Sequence, residues 1–129
     1  MVRRFRKRVC SVITLKKLIY LISPYKIKKK FYYDLNKVLS FNNVKFFQLR
    51  LKKIRPSSVS TIARKIKTIT QKHKVKFIIN DDYILASKIN ADGCHMGQRD
   101  GSIPKARKKL KNKILGITCH NSKRLAKIA

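Results

Sequence analysis

Five short apolar runs punctuate the chain: Leu18 to Ile22, Val44 to Leu49, Val75 to Ile79, Ala91 to Met96 and Ile114 to Thr118. They read as buried strands. Between them the apolar spacing turns helical, as in Phe31, Leu35, Val38 and Leu39, in Val59, Ile62, Ile66 and Ile69, and in Ile84, Leu85 and Ile89. The pattern predicts alternating β and α elements. Strand starts recur every two to three dozen residues, roughly the spacing that βα units need, so the expected sheet is parallel.

Punctuation residues support these boundaries. Pro56, Ser57 and Ser58 precede the long basic helix and predict a cap at Ser57 or Ser58, and Pro104 opens the shorter helix that follows. Asn121 and Ser122 can cap a last helix that has barely begun at Ala129, so the end reads as premature. A length of 129 residues suits one domain. Five βα units fit a flavodoxin-like open sheet, whereas an eight-unit barrel typically takes ~250 residues. Length alone favours the open sheet.

In either architecture ligands bind beyond the C-terminal ends of the strands, so the polar residues closing each run become candidates. Strand two closes on Gln48, Arg50 and Lys52 in QLRLK, strand three on Asn80 and Asp81 in IIND, strand four on Gln98 and Asp100 in GCHMGQRD, and strand five on Thr118 in GIT. Strand alternation puts Gln48, Arg50 and Lys52 on one face. A guanidinium fork beside an ammonium suits phosphate oxygens, although an exposed polar strand end has the same pattern. Asp81 and Asp100 end adjacent strands and can share a hard cation such as magnesium, which usually keeps one or two carboxylates and fills its shell with water and substrate oxygens. Asp82 reads as a helix-opening acid, Asp92 as structural, and Asn80 as either a cap or a ligand. His95 reads as a hydrogen-bonded core or lumen histidine, and His73 as a solvated one.

Against 34 Lys and Arg stand five acidic residues, a net charge of +29 that invites a polyanion partner. The basic residues are scattered from Arg3 to Lys127 and form no stripe, which argues against nucleic acid. Cys10, Cys94 and Cys119 form an odd, widely spaced set, so a reducing, cytoplasmic setting is expected and a disulfide framework is not. Residues 1–17 form a basic extension whose apolar stretch is too short and broken to span a membrane.

Taken in order, LIYLIS, FFQLRLK, FIINDD, ADGCHMGQRD and ILGITCH resemble the motifs of thiamine phosphate synthases. The resemblance covers roughly Leu18 to Ala129 and implies an α/β fold of the TIM (β/α)8-barrel family, represented by about five βα units in residues 18–129. It implies further that Gln48, Arg50, Lys52, Asn80 and Thr118 bind hydroxymethylpyrimidine diphosphate, and that Asp81 and Asp100 hold Mg2+. Thr118 stands where the family usually has Ser, and Arg99 replaces the family's usual acidic residue beside the second metal ligand.

The activity implied is transfer of the pyrimidinylmethyl group to thiazole phosphate with release of diphosphate, in thiamine biosynthesis. It needs no general acid or base, and the sequence offers no convincing Ser-His-Asp or Cys-His set. Stabilisation of the departing diphosphate is the expected catalytic term. Two alternatives are a thiazole tautomerase or regulator branch of the same superfamily, which commonly lacks the diphosphate and metal signature, and a basic RNA-binding module. Open edges at strands one and five are expected to favour self-association.

Overall fold

The computed structural model describes residues 17–52 and 54–129, so residues 1–16 of the basic extension, Cys10 among them, lie outside the described residues. Ten elements alternate: β1 (Ile19–Ile22), α1 (Lys29–Val38), β2 (Val44–Leu49), α2 (Pro56–Lys72), β3 (Lys76–Asn80), α3 (Tyr83–Lys88), β4 (Gly93–Met96), α4 (Ile103–Leu110), β5 (Ile114–Ile117) and α5 (Lys123–Ile128). Every apolar run became a strand, with ends shifted by two residues or fewer.

The strands pair in parallel in the order β1-β2-β3-β4-β5. This order separates the two architectures that length left open. A flavodoxin-like sheet reverses direction after its first pair and so carries helices on both faces. Here each right-handed crossover steps the same way, which stacks successive helices on one face and leaves the other free, as in a barrel wall. The architecture is α/β with five units of a barrel, and the flavodoxin-like strand order that length favoured is not formed.

The core lies between the strands and that helical layer. Phe47 and Leu49 of β2, Phe77 and Ile79 of β3, and Cys94 and Met96 of β4 are buried there against Leu35 of α1, Ala63 and Ile66 of α2, Ala86 of α3, and Ala106 and Leu110 of α4. The small Ala63, Ala86 and Ala106 let the helices sit close to the sheet. Phe47 stacks on Phe77 with centroids 6.4 Å apart. Alternation then turns the intervening residues, including Gln48, Asn80 and His95, to the opposite, lumen-side face.

One helix start differs from expectation. Pro56 itself occupies the first position of α2 with Arg55 as N-cap, so Ser57 and Ser58 fall inside the first turn and neither caps it. Proline's fixed φ and missing N–H suit that position and move the cap back by two or three residues, to Arg55. Ser122 does cap α5, accepting from Leu125 N at 3.2 Å. His73 is not simply solvated, since its Nε2 lies 2.9 Å from Asn36 Oδ1.

Candidate active site at the strand ends

A cavity of about 620 Å³ opens over the C-terminal ends of the strands, lined by Gln48, Arg50, Lys52, Asn80, Asp81, Asp100 and Thr118, with Tyr20, Ile22, His95 and Gly97 completing the wall. The seven residues to which the resemblance assigns a role therefore share one space, whereas Gln98, also a strand-end candidate, does not line it. Arg99 is exposed and does not line it.

A polar relay crosses the first three strands. The Tyr20 hydroxyl donates to Gln48 Oε1 at 2.8 Å, and Gln48 Nε2 donates to Asn80 Oδ1. Gln48 is buried, so both ends of its amide need partners, and the relay supplies them. Asn80 is thus a lumen acceptor and not a helix cap; Asp82 performs that task, accepting from Leu85 N at 2.8 Å.

Across β4 and β5, His95 Nε2 lies 2.9 Å from Thr118 Oγ1. Burial pushes the His95 pKa down against the opposing pull of Asp100, so its imidazole is neutral at pH 7 and serves as a hydrogen-bonding group. Room for the ring comes from Gly116: a Cβ there would stand 2.6 Å from His95 Nδ1. Gln98 Nε2 donates to the Thr118 carbonyl and ties the loop after β4 to the end of β5.

The carboxylates converge beside the cations. Asp81 has a left-handed backbone, φ 67°, with its N–H on the His95 carbonyl at 2.8 Å. Burial, a hydrogen bond with Asp100 and the charge of Asp100 raise the Asp81 pKa, while Arg50 and Lys52 pull it down. Asp100 is anchored by its own loop, accepting from Gly97 N at 2.6 Å. Two like charges brought together with only oxygen donors are a donor set that a hard divalent cation fits, with the remaining positions open to water and phosphate. Among the described residues, no group of three or more His, Cys, Asp or Glu assembles as a metal cage.

Tyr20 was missed in the sequence because it sits in an apolar run and reads as core. The available signal was register: two residues before Ile22, it shares the lumen face, and the sheet pairs Tyr20 with Phe46 and Ile22 with Gln48.

A family model described as thiamine monophosphate synthase matches residues 19–129. The chain belongs to the thiamine monophosphate synthase family. Among curated relatives, the thiamine-phosphate synthase of Pelagibacter ubique is 61% identical over 115 residues, covering 88% of this chain and 56% of that protein. That of Erythrobacter litoralis is 38% identical over 111 residues, covering 84% and 52%. This family member thus spans about half the length of the curated relatives it matches. The solved thiamine phosphate pyrophosphorylase from Pyrococcus furiosus superposes with a TM-score of 0.67 at 24% identity, over 79% of this chain and 49% of that one, which supports the shared fold.

Proposed function

We propose that the cavity is the pyrimidine diphosphate half-site of a thiamine-phosphate synthase, the transferase that joins hydroxymethylpyrimidine diphosphate to thiazole phosphate. The observation that carries this reading is the convergence of Gln48, Arg50, Lys52, Asn80, Asp81, Asp100 and Thr118 on one cavity. The tautomerase or regulator branch commonly lacks the diphosphate and metal signature, so Arg50, Lys52 and Asp100 in the cavity argue against it.

In this reading Arg50 and Lys52 bind the diphosphate oxygens and stabilise the charge that develops as the bond to the pyrimidine methylene carbon breaks. Gln48 and Asn80 orient the pyrimidine ring, held in register by Tyr20. Thr118, fixed by His95, presents its hydroxyl from the far wall. Asp81 and Asp100 would hold Mg2+, which when bound supplies Lewis-acid stabilisation of the leaving diphosphate. No side chain takes or gives a proton at the reacting carbon. The thiazole nitrogen is the nucleophile, and the role of the wall is alignment and exclusion of water.

Titrating inorganic pyrophosphate into the chain with and without magnesium tests the site. Asp81→Asn and Asp100→Asn should each abolish most of the magnesium-dependent gain in affinity while leaving the magnesium-independent component in place. Unchanged metal dependence in both variants would remove the shared cation site from the account.

A further inference from the structure

Arg50 and Lys52 are like charges two residues apart on one face, and nothing in β2 itself stops them from splaying into solvent. The segment that follows β1 closes over them. Ser23 N–H donates to the Gln48 carbonyl at 2.9 Å, and Arg50 N–H donates to Ser23 Oγ at 2.9 Å. Beyond Pro24, the Tyr25 hydroxyl accepts from Arg50 Nη1 at 2.9 Å. The Tyr25 ring lies under both cations, 5.2 Å from the Arg50 guanidinium carbon and 5.5 Å from Lys52 Nζ.

We propose that Tyr25 is a positioning residue for the diphosphate site, holding Arg50 and Lys52 together against one aromatic ring so that they meet the diphosphate as a preorganised pair. The inference rests on the reading of the cavity given above. Tyr25 is not among the cavity-lining residues and is 53% exposed, so its burial contributes little to the fold. The negative face of its ring attracts each cation and offsets part of their mutual repulsion. Its hydroxyl fixes one guanidinium edge, leaving the other N–H groups of the fork free for phosphate. Without the ring the same two charges remain, and each must be ordered when the ligand arrives.

Charge and order are therefore separable by experiment. Pyrophosphate is titrated, with magnesium present, into the full chain and its Tyr25→Ala, Tyr25→Phe, Lys52→Ala and Tyr33→Ala variants over a series of salt concentrations. Tyr33 is an exposed tyrosine that also stacks on a lysine, Lys37, away from the cavity, and serves as the control. Tyr25→Ala should weaken binding about threefold to tenfold, the range of one or two cation–π contacts, with melting temperature and salt dependence as in the parent. Tyr25→Phe, which keeps the ring, should recover most of that loss. Lys52→Ala should weaken binding and also flatten the salt dependence, because a charge has gone. Parent-like affinity in Tyr25→Ala alongside weakened Lys52→Ala overturns the role of Tyr25 while leaving the diphosphate site standing. Parent-like affinity in both overturns the site and the inference with it. Loss in Tyr33→Ala equal to that in Tyr25→Ala overturns the inference as well, since the effect would then be general to exposed tyrosines.

Discussion

Asp81 shows how a proposed role and stability part company at a single residue. Its left-handed backbone is one that Asp and Asn tolerate better than other side-chain-bearing residues. Its pKa stands above the ordinary 3.8 because the carboxyl is partly buried beside Asp100. A carboxyl whose folded pKa is raised opposes folding while charged, and that opposition is relieved as pH falls through the raised value toward 3.8. Without divalent cation, then, Asp81→Asn should be at least as stable as the parent at pH 7, and the difference should shrink as pH drops toward 4. Urea melts across that range check it, and a variant less stable than the parent at pH 7 would contradict the argument. Cys94 is the opposite case. Buried in the helix-facing core, its thiol is pushed up to about 12, so it is a packing residue.

At the scale of elements, the β4–β5 pair depends on backbones approaching closely enough for His95 to lie over Gly116. Gly116→Ala places a Cβ 2.6 Å from the ring nitrogen, so the imidazole must swing away from Thr118. The expected cost is about 1–3 kcal/mol in urea unfolding, the range for overpacking a fitted site. A loss below about 0.5 kcal/mol, the scatter of ordinary surface substitutions, would mean that the ring is not held there. The strands were legible because each is an apolar run with a polar residue at its end, and local pattern is enough to find such runs. Contacts made across the sheet were not: Tyr20 meets Gln48 at a separation of 28 residues, and Tyr25 meets Arg50 at 25. Nor was the use made of the lysines. Among the described residues Asp34 and Asp92 alone form ion pairs, and several cations instead cap carbonyls, as Lys67 does at Ile89 and Lys113 at Ala91, both at 2.8 Å. A chain this poor in acids satisfies basic groups with neutral acceptors at helix ends, which composition alone does not reveal.

At the scale of the whole molecule, the five described strands leave β1 and β5 as sheet edges, and Leu18, Ile19, Tyr20 and Ile22 along β1 are exposed. Unpaired strands of this kind promote association, so a polypeptide of these 129 residues should show concentration-dependent self-association in sedimentation. In barrels of this kind a phosphate cradle is frequently formed after strands seven and eight. Supplied alone with both substrates, the same polypeptide should release no thiamine phosphate. Turnover near 1 per second or faster, an ordinary enzyme rate, would contradict that expectation. Motif order made the barrel legible where length misled, because length counts units while the sheet order records how they are joined. What remains central is that the cations of the cavity act as a site and not as a share of a diffuse +29 charge. The most direct test compares pyrophosphate affinity in Lys52→Ala with that in Lys28→Ala and Lys109→Ala at physiological salt, where the Debye length is ~8 Å and distant exposed charges are screened. Lys52→Ala should bind about tenfold more weakly, the size of one charge-assisted hydrogen bond, with the other two within about twofold of the parent. Equal losses in all three would contradict it.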